Sequence, residues 1–451
     1  MTDQAIQFYH NLLISMSSAD LAEMKDNFLK SLRNNKACYG DRLLTSYLRP
    51  KFLTPEQMFK IRQVCMTLRN IVVKVKDAYF KDKKIAEDVA LTETESMLAN
   101  IDPGFSRICV VSRWDSFWSE DGLKFVELNA ENPAGVAYSD IMSQVFLDLP
   151  VLKSFSKKYQ LESFHIREVL LHAILVTYQK WQGNKSNRVV PNIAIVDWKD
   201  VPTFSEFELL QEYFELHGVP TVIADPRELD FQNGRLMKDD FEIDIVFRRV
   251  LTQEFIEKLD EVQPMLEAYR QQRVCMINSF RTKLLHKKSL FAIFSDTQNR
   301  NYFSSTEQQV IDEHIPWTRI IRHEKVDFHG EKIDLLDYVS QNKNNFVIKP
   351  NDEYGGKGVV IGGEASQHEW ENVLEAALSD KYVVQEKVKL SKETFPYYDE
   401  GLKFEDLVVD LDPYLFGVNT AGCMTRLSQT SLANVTSGGG VNATFIIREK
   451  N

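Results

Sequence analysis

Between residues 191 and 250 the chain reads PNIAIVDW, then FSEFELLQEYFELHG, VPTVIADP and EIDIVFRRV. Short apolar runs alternating with an amphipathic helix predict strands joined by a crossover, so this region is expected to form a small parallel α/β sheet. The stretch before it, GNKSNRVVPN (183–192), is polar and carries Gly and Pro, which marks a boundary. The first hundred residues are different in texture. ADLAEMKDNFLKSLRNN and TPEQMFKIRQVCMTLRNIVVKVKDAYF space their apolar residues helically, and Thr54-Pro55-Glu56 is a helix start signal. After them come two short strands, RICVVSRWDSF and LKFVEL, with Asp121-Gly122 as the turn. Beyond the α/β region, FRTKLLHKKSLFAIFSD reads as one helix, NNFVIKPNDEYGGKGVVIG as a β-hairpin with a Gly-rich tip, and DKYVVQEKV as a strand.

The net charge of −11 argues against a general nucleic-acid binder, although it leaves room for a local basic cleft. Five scattered cysteines with no C-x-x-C pair make a disulfide framework or zinc site unexpected and fit a reducing cytosol. The first twenty residues lack a basic n-region, and no apolar run approaches the ~18 residues of a membrane span. The expectation is a soluble cytoplasmic protein without a membrane partner.

The stretch KFVELNAENPAGVA (124–137) carries the most chemistry. Glu127 and Asn129 are two apart on a strand, so they share a face, and oxygen ligands beside a Gly/Pro turn suit a hard cation such as Mg²⁺. Glu131 and Asn132 either extend that seat or cap a helix starting after Pro133; capping is the expectation. In the 346–362 hairpin, Lys349 ends an apolar strand, and Gly355-Gly356-Lys357-Gly358 reads either as a solvated turn or as backbone amides for phosphate oxygens. Arg426 lies on a probable strand ahead of Ser437-Gly438-Gly439-Gly440, a candidate amide nest. Arg113 either pairs with Asp115 or serves the site. Arg248-Arg249, at a strand end, reads as a solvated pair or a substrate clamp.

Taken together and in order, these stretches resemble the ATP-grasp superfamily, and within it the circularly permuted group similar to eukaryotic-type glutathione synthetase and glutathionylspermidine synthase. The resemblance covers the chain from about residue 107 onward. Glu127-Leu128-Asn129 looks like the family's Glu-x-Asn metal motif. Lys349 and Glu353 fall where a Lys-Pro-x-x-Glu-Gly-Gly hairpin has its phosphate lysine and metal glutamate, with Tyr354 inserted before Gly355. Gln385-Glu386-Lys387, followed by Val388, resembles a Met-Glu-Lys-type adenine strand. Arg113-Trp114-Asp115 resembles an Arg-Ser-Asp stretch, and Arg426 with Gly439-Gly440-Val441 a late Arg followed by a Gly-Gly-Val turn. The metal motif precedes the lysine hairpin here, the reverse of the commoner ATP-grasp order, and that is the permuted arrangement.

The resemblance implies an ATP-grasp fold of mixed α+β and α/β character with an inserted parallel α/β domain. Its parts would be a helical region (1–100), a first part of the core (101–185), the substrate-side domain (190–280), and the lid with the remaining core (281–451). It implies ATP and Mg²⁺, with the metal on Glu127, Asn129 and Glu353. Lys349 and one of Lys287 and Lys288 would neutralise the transferring phosphoryl group, and Arg113 and Arg426 would stabilise an acyl phosphate. The Gly438–Gly440 loop would close over the site. The implied reaction joins a carboxylate to an amine on an amino acid, peptide or polyamine, and homodimers are common in the group. A small-molecule kinase and a nucleotide-binding protein without turnover are the alternatives.

Overall fold

The computed structural model describes residues 1–183, 188–431 and 439–450. Its centre is an antiparallel sheet in the order Gly440–Asn442, Asn419–Ser428, Leu402–Phe416, Val111–Ser119, Gly122–Asn129, with Lys392–Tyr398 added alongside Leu402–Phe416. The Asp121-Gly122 turn forms as expected, with Gly122 at φ +92°. Register sets Arg113 opposite Asn129, Asp115 opposite Glu127, and Asp410 opposite Arg426. Alternation along each strand therefore gathers charged side chains on one face of an otherwise buried sheet.

The expected parallel sheet is present. Its strands run Cys275–Ile277, Ile245–Arg248, Ile193–Val196, Thr221–Ala224, all parallel, and Phe204–Leu216 is the crossover helix. Every residue of Ile193–Val196 is buried, which explains its continuous apolar run. Part of the polar boundary stretch, residues 184–187, lies outside the described residues. A third, antiparallel sheet carries the Gly-rich hairpin: Thr318–Ile320, Tyr382–Glu386, Phe346–Pro350, Val360–Ile361. It has its own core around Trp317, Phe346, Ile348 and Trp370.

The N-terminal helices are integral to this architecture. Thr54 and Gln57 form a capping box with Pro55 in the first turn of Pro55–Tyr79, whose buried stripe runs through Ile61, Leu68 and Val75. The short strand Lys51–Leu53 pairs in parallel with Thr444–Glu449, Phe52 opposite Phe445. One apolar core thus extends from Ala5 to Ile447. No helix among the described residues is long and apolar enough to cross a membrane.

Two local expectations are corrected. Residues 280–296 are not one helix: a 3₁₀ turn Phe280–Thr282 and the helices Lys283–His286 and Ser289–Ser295 are separated at Lys287, which is extended (φ −63°, ψ 129°). The break comes from Asn351, whose carbonyl takes the Lys288 N–H at 2.9 Å and whose side chain takes the Ser289 N–H at 2.8 Å, starting a new helix. Nor do Glu131 and Asn132 cap the next helix. Val136–Leu147 begins at Gly135 (φ +93°), where a Cβ would sit 2.4 Å from Met424 Sδ, and the Ala137 N–H goes to Glu206 Oε1 at 3.2 Å. Asn132 donates instead to the Arg249 carbonyl.

Candidate active site

A cavity of about 400 Å³ lies where the three sheets meet. The central sheet supplies Arg113, Asp115, Glu127, Asn129, Asp410 and Arg426, and the hairpin sheet supplies Lys349, Gly355, Gly356 and Gln385–Val388. The C-terminal ends of two parallel strands add Asp197 and Arg249, the usual ligand position in a parallel sheet.

The floor is a closed charge network. Arg113 Nε donates to Asp115 Oδ1 at 2.9 Å, and Arg426 Nη2 donates to Asp115 Oδ2 at 2.7 Å. Arg426 also pairs with Asp410, and its Nε lies 2.8 Å from Asp412 Oδ2. Oxygens of Asp115, Asp410 and Asp412 come within 4.8 Å of one another, a metal-like grouping, yet the Arg426 guanidinium already fills its middle. Burial drives Asp412 well above the carboxylate range, against the pull of Arg426. Asp115 is held below that range: burial opposes its charge, but Arg113 and Arg426 outweigh it.

The candidate cation seat is separate. Asn129 Nδ2 donates to Asp115 Oδ1 at 2.9 Å, which leaves the amide oxygen as the free acceptor. Glu127 has one oxygen 3.3 Å from Lys288 Nζ and stays partly exposed. A carboxylate and an amide oxygen in a polar cleft fit Mg²⁺, which takes few protein ligands and keeps phosphates and water for the rest.

Lys349 Nζ donates to Gln385 Oε1 at 2.7 Å and to the Val126 carbonyl at 3.3 Å, with no carboxylate contact among the described residues. Burial lowers its ammonium to about 8, against an upward pull from Glu127. Such a cation is ready for an anion. At the hairpin tip Gly355 and Gly356 take φ +64° and +77°, which opens the backbone toward the cavity. At the end of the Tyr382–Glu386 strand, where the sequence led us to expect adenine contacts, the Glu386 and Lys387 N–H groups go to the Trp317 and Asn345 carbonyls. No backbone carbonyl among the described residues takes the Val388 N–H.

Some expected residues stand elsewhere. Lys287 turns to Glu95 at 2.9 Å and Asp352 at 2.6 Å, away from the cavity, whereas Lys288 reaches Glu127 and the Glu353 carbonyl. The Glu353 side chain pairs with Lys357 at 3.0 Å. Gly439 accepts from Arg42 Nη1 at 3.0 Å, and Gly440 packs against Leu44, whose carbonyl takes the Val441 N–H at 2.8 Å. Gly438 lies outside the described residues. Glu131 is buried with Arg248, Thr252 and Lys283; burial opposes its charge, but Lys283 and Arg248 hold its pKa at about 2. Arg248 is fully buried, not solvated, while Arg249 faces the cavity with an unpartnered, buried Nε.

Sequence reasoning missed Asp410 and Asp412. Their signal was present: two carboxylates two apart in the apolar run LVVDLDPYLFG share one face of a buried strand. It also missed Asn278. Its Oδ1 takes the Val110 and Val111 N–H groups, and its Nδ2 donates to the Val111, Ala130 and Glu131 carbonyls, tying the α/β sheet to both site strands.

A family model described as circularly permuted ATP-grasp type 2 matches residues 96–435. A solved structure of a glutathione synthetase-like effector from Globodera pallida superposes with a TM-score of 0.62, covering 96% of this chain and 98% of that one at 12% identity, a likeness of fold. A putative glutamate–cysteine ligase from Frankia alni is 33% identical over 123 residues, 26% of this chain and 14% of that protein. An uncharacterized protein of Synechocystis is 25% identical over 250 residues, 52% of this chain and 47% of its own length. Both curated relatives are thus matched over less than half their length.

Proposed function

The chain belongs to the circularly permuted ATP-grasp type 2 family and has that fold, and we propose that it is an ATP- and Mg²⁺-dependent carboxylate–amine ligase. The observation that carries this reading is the meeting, in one cavity, of the Glu127/Asn129 pair, the half-buried Lys349 ammonium and the Arg113/Arg426 pair. Magnesium on Glu127 and Asn129 would neutralise phosphate charge. Lys349 and Lys288 position and neutralise the terminal phosphoryl group of ATP, and the hairpin glycines bring backbone amides to the phosphates. A substrate carboxylate oxygen attacks the γ-phosphorus, forming an acyl phosphate and releasing ADP. An amine then attacks the acyl carbon, a proton leaves the nitrogen, and inorganic phosphate departs with the amide formed.

Arg113 and Arg426 lie where negative charge builds in both steps, held by carboxylates that prevent them from moving. Arg249 and Asp197 reach the cavity from the parallel sheet, a cation and a carboxylate suited to a substrate bearing both charges. Amino acids and short peptides fit that pairing better than a polyamine, which offers no carboxylate to Arg249.

The test is Mg-ATP-dependent phosphate release across amino acids, dipeptides and polyamines, with mass spectrometry of the products. The ligase reading predicts phosphate release that requires both a carboxylate and an amine, with a new amide mass. A stable phosphorylated product formed without an amine would make the protein a kinase instead.

A further inference from the structure

The Val111–Ser119 strand has a second working face. Arg113 and Asp115 line the catalytic cleft, whereas Ser112 and Trp114, alternating with them, line a separate cavity of about 550 Å³ on the other side of the sheet. That size falls in the range of small-molecule sites, roughly 300–1,000 Å³. Its floor is apolar and buried, formed by Val72, Ile108, Trp114, Leu128, Leu285 and Leu415. Its remaining charged lining residues are Arg69, Lys76, Arg107 and Lys180, with no carboxylate among them. In a chain with 65 acidic and 54 basic residues, four cations and no acid around one opening reverse the local charge.

Only one of these cations is matched by a carboxylate among the described residues. Lys76 pairs with Asp77 at 2.5 Å, and Arg69 makes a long contact of 3.4 Å to Asn70. Arg107 and Lys180 have no carboxylate partner among the described residues. Arg107 is partly buried, and its burial together with the nearby Arg69 guanidinium lowers its pKa. Gly417 (φ +64°) leaves room for that guanidinium, since a Cβ there would sit 2.8 Å from Arg107 Nη1. Two like charges close enough to oppose each other on the lining of an apolar cavity are an arrangement that an anion relieves.

We propose that this cavity binds an anionic amphiphile: a carboxylate or phosphate headgroup held by Arg69 and Arg107, with an apolar body laid against Trp114 and Leu285. Lys76 and Lys180 add longer-range attraction. The site is independent of the nucleotide reading, because it opens on the opposite face of the sheet.

Titration calorimetry on the full chain tests it, with decanoate and decyl phosphate as probes and decanol and decyltrimethylammonium as neutral and cationic counterparts. At least one anionic probe should bind, and the neutral and cationic probes should bind about tenfold or more weakly, the difference a charge-assisted contact implies. Arg69→Glu/Arg107→Glu should weaken binding by about tenfold or more, Lys180→Glu by a smaller factor, and Lys30→Glu, the same charge change as Lys180→Glu made elsewhere, should leave it unaltered. Saturating Mg²⁺ with a non-hydrolysable ATP analogue should not displace the probe. No binding by either anion, equal binding of the cationic probe, unaltered binding in the double variant with an unchanged melting profile, or displacement by nucleotide would each overturn the proposal.

Discussion

The cavity has two kinds of cation, and they are prepared differently. On the central sheet Arg113 and Arg426 are locked among Asp115, Asp410 and Asp412, so their charge is balanced before any ligand arrives. On the hairpin sheet Lys349 is half-buried against a glutamine and a carbonyl, and its charge is opposed by its surroundings. The first arrangement gives rigidity: removing one partner exposes buried charge of the other sign. The second stores a demand for an anion, which binding satisfies. A charge-balanced floor and a wall whose cation is left without a counter-charge are what the proposed alignment of a phosphoryl donor would use.

The sharpest way to break the comparison is Arg426→Ala. It should abolish activity and destabilise the fold by about 3–5 kcal/mol, because three buried carboxylates lose their shared partner; chemical denaturation measures this. An unchanged midpoint would show that the floor is not a network. Next in size is Asn278→Ala, which strands the buried Val110 and Val111 N–H groups. A loss of about 2–4 kcal/mol is expected, at ~1–3 kcal/mol for each unsatisfied group with partial relief by relaxation, with a lower kcat from a misplaced Arg113.

Lys349→Met should behave oppositely. Activity should fall by about 10²-fold or more, while ligand-free stability stays level or rises, since a disfavoured buried charge is gone. The sign follows from Lys349 being lowered to about 8: the folded state binds fewer protons than the unfolded state between that value and the ordinary lysine value. This group therefore adds stability as pH rises from about 8. That rise should be missing in the methionine variant, and nucleotide binding to the wild type above pH ~8 should take up protons.

The smallest expected effect concerns the substrate end. Burial pushes Asp197 up to about 7, with Arg249 pulling the other way. Its folded pKa exceeds its unfolded value, so its contribution to stability is lost as pH rises between them. Asp197→Asn should flatten stability from the ordinary aspartate range up to pH ~7 and should raise KM more than it lowers kcat. A pH profile matching the wild type would remove Asp197 from the titrating groups.

Much of this was legible in the sequence, and what was not has physical reasons. Strand alternation alone put Glu127 and Asn129 on one face, and the apolar runs near residue 193 announced the parallel sheet. Neighbouring identical residues were not separable. Lys287 and Lys288 differ because Asn351 breaks the helix between them, and Glu127 and Glu131 differ because Arg248 and Lys283 arrive from other parts of the chain. Asp410 and Asp412 stood out as paired carboxylates in an apolar run, but their role needed the register with Arg426, which the pairing of the two strands of their hairpin supplies.

The central claim is that Glu127 and Asn129 seat the metal of a Mg-nucleotide held against Lys349. Calorimetric titration of Glu127→Ala and wild type with ATP, each with and without Mg²⁺, tests it most directly. The account predicts Mg²⁺-dependent ATP binding by the wild type and its loss in the variant, with the melting temperature nearly unchanged because a partly exposed ligand is removed, not a core group. Equal Mg-ATP affinity in the two proteins would contradict it.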